Sequence, residues 1–144
     1  MAYTVNKVSI WSGEIEDRVG GLAAKLEALA EAGVDLEVVV ARRQAHLPGK
    51  GLVLLGPIKG AKGKAAATAA GLSEVSEVAL RVEGPNKPGE GSRLARLLAD
   101  AGINLRGLAA TVSGAKVVIS LGFDNEADAD HAGRLLRAAG ARRK

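Results

Sequence analysis

The sequence predicts an α+β protein built from two copies of one unit of roughly 70 residues. Three observations predict it. The stretch Asp17–Leu36 recurs as Asn86–Leu105, with six identities in 20 aligned positions: Gly20/Gly89, Leu29/Leu98, Ala30/Ala99, Ala32/Ala101, Gly33/Gly102 and Leu36/Leu105. Further on, Gly51–Gly56 faces Val117–Gly122, with the intervening loop three residues shorter in the second copy. Register is therefore kept inside elements and lost in a loop, where insertions are tolerated. Finally, both copies run through the same succession of apolar periods, near two and then near 3.6.

Taken in order, Val8-Ser9-Ile10-Trp11 alternates and reads as a strand, as does Val78–Val82. The first helix carries Leu22, Leu26, Leu29 and Ala30 on one face, and its copy carries Leu94, Leu97, Leu98 and Ala101. Gly33 and Gly102 suit the left-handed position that ends a helix. A hairpin follows, Leu36–Ala41 with Leu52–Leu55 and Leu105–Val112 with Val117–Leu121, turning at Pro48-Gly49 and Ser113-Gly114. The second helix is Lys64–Ala70 in one copy and Glu126–Ala139 in the other, the latter capped by Asp124 or Asn125.

The order β-α-β-β-α needs one more strand to become the split β-α-β, or ferredoxin-like, sandwich. The units are expected at 1–73 and 74–144. Glu74–Gly84 must then close the first copy, open the second, or do both by bending. Beyond Gly140 only Ala-Arg-Arg-Lys remains, so the second copy lacks its last strand. Another segment or a second chain must cover that edge.

With 47% hydrophobic residues the chain can bury a core, and with 2% aromatics that core must be aliphatic. The absence of cysteine excludes disulfides, thiolate metal sites and cysteine nucleophiles. The start lacks an apolar signal core, and no apolar run approaches membrane-spanning length, so a cytoplasmic location is expected. The net charge of +4 is mild, and its one tight group, Arg142-Arg143-Lys144, reads as a solvated tail. Single-strand nucleic-acid binders stack bases on aromatic platforms, which a chain with one Trp, one Tyr and one Phe lacks.

The segment Gly84-Pro85-Asn86-Lys87-Pro88-Gly89-Glu90-Gly91 leads from a strand into a helix. Its glycines allow close backbone approach, and the helix start offers N–H groups and a positive dipole end. A carboxylate suits those donors. Asn86 or Asp17 can accept from an ammonium group, so an α-amino acid fits. A plain turn with a helix cap and no guest explains the same residues, and local chemistry leaves both open.

The pattern [Asp/Asn]-[Arg/Lys]-x-Gly, a Leu/Ala-rich helix, then Ala-Gly-[Val/Ile]-[Asp/Asn]-Leu resembles the ACT domain, in both copies and over essentially the whole chain. The resemblance implies two ferredoxin-like βαββαβ units packed into one extended antiparallel sheet, with helices on one face. It implies an amino-acid-binding regulatory protein with no catalytic domain. The ligand residues it implies are Asp17, Arg18, Val19, Gly20 and Gly21 with Asp35, and Asn86, Lys87, Pro88, Gly89 and Glu90 with Asn104. Val19 stands where the pattern has proline, and Gly91 where it has an apolar helix residue.

Other motifs carry less. Gly56–Lys64 imitates a phosphate-binding loop, but Ile58 replaces the required first glycine and Ala65 the metal-holding hydroxyl. His46 and His131 have no partner at metal spacing. Asp124, Glu126, Asp128 and Asp130 complement a helix dipole. Trp11 is expected in the core or at an interface, beside the loop. No catalytic set can be assembled, so no enzyme activity, cofactor or metal is expected. The expected partners are a small-molecule amino acid and either a second copy, as a homodimer, or a partner enzyme. The alternatives are a regulatory subunit without its own ligand and, less favoured, a ferredoxin-like nucleic-acid binder.

Overall fold

The computed structural model describes residues 3–142, with side chains as far as residue 139. The cluster at 142–144 lies outside the described residues except for the backbone of Arg142. The elements are β1 (Thr4–Glu16), α1 (Gly21–Glu31), β2 (Val38–Arg43), β3 (Lys50–Gly56), α2 (Gly60–Ala69), β4 (Ser73–Pro85), α3 (Glu90–Asp100), β5 (Gly107–Ser113), β6 (Lys116–Phe123) and α4 (Glu126–Arg142). They fall into two packing units. One is continuous in sequence, Ser9–Val75; the other is discontinuous, the chain up to Val8 together with the chain from Ser76. β1 and β4 each have 13 residues, and each gives part of its length to either unit.

In the continuous unit the strand order is β2-β3-β1, with the start of β4 beside β1. β1 pairs with β3 from Trp11↔Leu55 to Glu16↔Lys50, and β2 with β3 from Val38↔Gly56 to Arg43↔Gly51, both antiparallel. Val53 and Leu55 of β3 are fully buried while Leu52 and Leu54 between them are half-buried, the period-two signature of a strand over a core. Trp11, Leu29, Ile58, Ala67 and Leu72 complete that core. α1 stops where the sequence predicts: Gly33 takes φ 75°, its N–H donates to the Ala30 carbonyl, and the Val34 N–H donates to Leu29. This paired closure requires the left-handed glycine.

The discontinuous unit has the order β1-β4-β6-β5, of which β1 contributes Thr4–Val8. β4 pairs with β6 from Val78↔Phe123 to Pro85↔Lys116, and β5 with β6 from Gly107↔Gly122 to Ser113↔Lys116. Leu80, Val82, Leu94, Leu98, Ile119, Leu121, Phe123 and Leu136 form an aliphatic core around one phenylalanine. The strand missing at the end of the second copy is supplied by the start of the chain. Tyr3 and Val5 are buried in this core. The Arg137 guanidinium donates to the Val5 carbonyl at 3.0 Å, and Lys7 bridges Glu126 and Asp130 at 2.8 and 2.9 Å. Chain order predicts a division after residue 73; the packing adds Thr4–Val8 to the second half, because an open edge gains ladder bonds and buried apolar surface from any strand within reach.

Two elements differ from expectation. β1 runs well beyond Val8–Trp11 at both ends. α2 starts at Gly60 rather than Lys64, although glycine disfavours helix interiors. Gly63 explains this: a Cβ there would stand 3.1 Å from a Val34 methyl and 3.3 Å from an Ile58 methyl, so close packing outweighs propensity. Of the two caps predicted for α4, Asn125 serves, its Oδ1 accepting the Asp128 N–H at 2.8 Å.

Candidate functional site

The chain builds the same strand-to-helix turn twice. Asp17 N–H donates to the Gly49 carbonyl at 3.0 Å, and Asn86 N–H to Ala115 at 2.9 Å. Gly21 N–H reaches Arg18 and Glu90 N–H reaches Lys87, at 3.1 and 3.2 Å. Gly20 has φ 85° and ψ −5°, and Gly89 has φ 86° and ψ −1°, left-handed values that a side chain would strain. Neither helix has a side-chain N-cap. Among the described residues, no protein acceptor meets the N–H groups of Leu22 and Ala23 in one turn, or of Gly91 and Ser92 in the other.

In the continuous unit this turn borders a cavity of about 310 Å³. Glu14 and Glu16 of β1, Arg18 of the turn, Gly21, Ala24, Lys25 and Ala28 of α1, and Ala70 after α2 line it. Gly21 is sterically required, because a Cβ would collide with the Glu16 carbonyl. That carbonyl is drawn in by the Arg18 N–H at 2.9 Å. The Glu16 carboxylate accepts from Lys50 Nζ at 2.6 Å, which holds it below the usual carboxylate range. Lys25 Nζ donates to the Ala70 carbonyl at the negative end of α2. Among the described residues the Arg18 guanidinium donates only to the Val19 carbonyl, at 3.3 Å, and Glu14 has no ion pair. The cavity therefore offers both signs of charge beside open N–H donors.

The structure gathers some predicted residues here and disperses others. Arg18 and Gly21 line the cavity, and Gly20 shapes it. Val19 is fully exposed at the tip, and Asp17 turns away to Arg43 at 2.6 Å. Asp35 stands beyond the other end of α1, about 16 Å along an 11-residue helix. There it lines a separate cavity of about 500 Å³ with Gly33, Val34, Glu37, Pro57 and Lys59. In the discontinuous unit Asn86, Lys87, Pro88 and Gly89 are exposed, Glu90 is buried, and Asn104 is exposed beyond the far end of α3.

Around Glu90 the space is occupied. Tyr3 OH donates to Glu90 Oε2 at 2.5 Å, and the Arg93 guanidinium donates to the Tyr3 hydroxyl. Arg93 also lies 5.4 Å over the Tyr3 ring and 3.7 Å from the Glu90 carboxylate. Sequence reasoning missed Glu14, Lys25, Tyr3 and Arg93. Lys25 left a legible signal, a lysine on an apolar helix face where the repeat has Leu94. Tyr3 left none, because its contacts lie 87 and 90 residues away.

The remaining motifs stay apart from this site. His46 and His131 are exposed, and among the described residues no group of His, Asp or Glu could hold a metal. Trp11 is buried in the core, its Nε1 unpartnered, and does not line the cavity. No helix among the described residues is long and apolar enough to cross a membrane.

No family model matches the sequence, and no curated protein is a significant match. Solved structures do match. The protein BT0572 of Bacteroides thetaiotaomicron superposes with a TM-score of 0.73 at 16% identity, over 95% of this chain and 90% of that one. The ligand-free regulatory subunit of aspartate kinase from Thermus thermophilus gives 0.69 at 16% identity, over 96% and 97%. The fold is that of the ACT domain. Escherichia coli aspartokinase III, in complex with aspartate and ADP, gives 0.62 at 12% identity, this chain covering 32% of its length. Such identities establish the fold alone: two ACT-like units, one closed by β4 and the other by the start of β1.

Proposed function

We propose that this chain is a non-catalytic regulatory protein that binds an α-amino acid at the α1 turn of its continuous ACT unit. The observation that carries the reading is the cavity at that turn, where Arg18, Lys25 and Glu14 line a space of about 310 Å³ beside the start of α1, whose Leu22 and Ala23 N–H groups meet no protein acceptor among the described residues. The ligand carboxylate takes the helix N–H groups and Arg18, since a helix start favours anions and charge-assisted bonds are the stronger ones. The ammonium takes Glu14. Gly20 and Gly21 keep the backbone close enough to be reached. Asp17, Val19 and Asp35 stay outside the contact set, and the second turn, Asn86–Glu90 with Asn104, is the weaker of the two.

The superposition on regulatory subunits of aspartate kinase supports a regulatory role, and one of those structures contains alpha and beta subunits together. The output is accordingly contact with a second copy or with a separate enzyme, in the cytoplasm. Ligand binding shifts the balance between packings that differ in affinity for it.

A thermal-shift screen against the twenty standard amino acids tests this. A ligand at a hundred times its Kd adds about 2.7 kcal/mol of stability. Arg18→Gln should abolish the shift while changing the stability of the free protein by less than about 0.5 kcal/mol, as a surface substitution does. If no amino acid raises the melting temperature, the ligand reading fails.

A further inference from the structure

The repeat supplies an internal control for the cavity, because each position of β1, the turn and α1 that lines it has a counterpart 69 residues later. Gly21 and Ala24, whose small size leaves the space open, correspond to Glu90 and Arg93. Lys25, half-buried and tied to Ala70, corresponds to Leu94, which is 1% exposed in the core. The backbone turn is the same in both units to within a few degrees at its glycine. The two are separated by their side chains and by one backbone bond, Arg18 N–H to the Glu16 carbonyl, which the second turn lacks among the described residues.

From this we infer that the second ACT unit carries the same binding turn closed by the chain's own residues, with Tyr3 as the plug, so that the chain takes one amino acid rather than two. The inference rests on the proposed function above for what the open cavity binds, but the plug stands on its own contacts. The Glu90 carboxylate supplies the negative charge at the helix start that a ligand carboxylate would bring, and the first turn of a helix stabilises it there. Its relative exposure is 6%, and burying a carboxylate requires partners. Tyr3 OH provides one at 2.5 Å, and Arg93 lies 3.7 Å away. The Tyr3 ring covers Gly84, where an added Cβ would stand 2.5 Å from its Cδ1. That glycine lets one edge of the ring, Cδ1 and Cε1, press against β4. Arg93, its guanidinium 5.4 Å over the ring, completes the closure by cation–π contact.

Two measurements test this separately from the ligand reading. Tyr3 is the only tyrosine, so its nitration by tetranitromethane, followed by mass spectrometry of the full chain, reports the plug without any ligand. The folded wild type should resist nitration, and the Glu90→Gly/Arg93→Ala variant should react about tenfold faster or more, since local opening sets the rate. Tyr3 nitrating in the wild type at the rate of a free tyrosine overturns the plug, whether or not an amino acid binds. Calorimetry with whichever standard amino acid gives the largest thermal shift should show one site per chain, lost in Arg18→Gln and retained in Tyr3→Phe. Two equivalent sites in the wild type overturn the proposal. If no amino acid binds, the ligand reading fails, and the nitration rates still decide whether the turn is closed.

Discussion

The α1 turn and the α3 turn share a backbone and differ in what fills the space beside it. In the continuous unit a tight bond from Arg18 N–H to the Glu16 carbonyl draws that carbonyl over Gly21, so only glycine fits. In the discontinuous unit, among the described residues, Lys87 N–H makes no such bond to Pro85, and the position accepts Glu90. Exchanges at three positions thus replace an exposed recess with both signs of charge by a buried carboxylate held by Tyr3 and Arg93. Whether such a turn borders an open recess depends less on its glycine signature, which both copies carry, than on the size of the two or three residues that follow.

Substitutions sharpen the comparison, beginning with the largest effect. Leu29→Ala and Leu98→Ala sit at matching positions, 1% and 0% exposed, and each should lower stability by about 2–5 kcal/mol in chemical denaturation. If only one of them does, the two cores are not equivalent. Gly21→Ala forces a side chain against the Glu16 carbonyl and should cost about 1–3 kcal/mol, as overpacking does, together with amino-acid binding. Glu90→Gly at the matching position should leave binding intact. Tyr3→Phe removes a hydroxyl bonded to a buried carboxylate and should cost about 1–3 kcal/mol with no loss of binding at the α1 turn.

The smallest effect is a pH dependence at the exposed Glu16–Lys50 pair. Hydrogen bonding to Lys50 lowers the Glu16 pKa from 4.5. Its folded value is thus below its unfolded one, and the stabilisation is present above 4.5 and lost as pH falls through the lowered value. Melting curves of wild type and Glu16→Gln should differ at neutral pH and converge in acid. A constant difference across that range would show that the pair contributes nothing through Glu16 titration.

Much of this was legible in the residues. The correlated glycines Gly20/Gly89 and Gly33/Gly102 marked both ends of both first helices, because left-handed backbone is a local demand that glycine alone meets cheaply. Arg18 and Gly21 came from the family resemblance, and both line the cavity. Lys25 could have been found by asking why one copy breaks its apolar face. The resemblance put Asp35 at the start of the second strand, and the structure shows it beyond the end of α1 opposite the turn, beside a separate cavity.

The sequence by itself determined the class, the repeat and the position of each turn, since hydrophobic period and left-handed glycines act over a few residues. Only the tertiary structure decided that Thr4–Val8 closes the second unit and that Tyr3 meets Glu90 and Arg93. Those contacts join residues nearly 90 positions apart. The reason is physical: an unpaired strand edge and a buried carboxylate are satisfied by whatever groups folding brings near, and proximity of that kind is a property of the packed chain, not of any stretch of it.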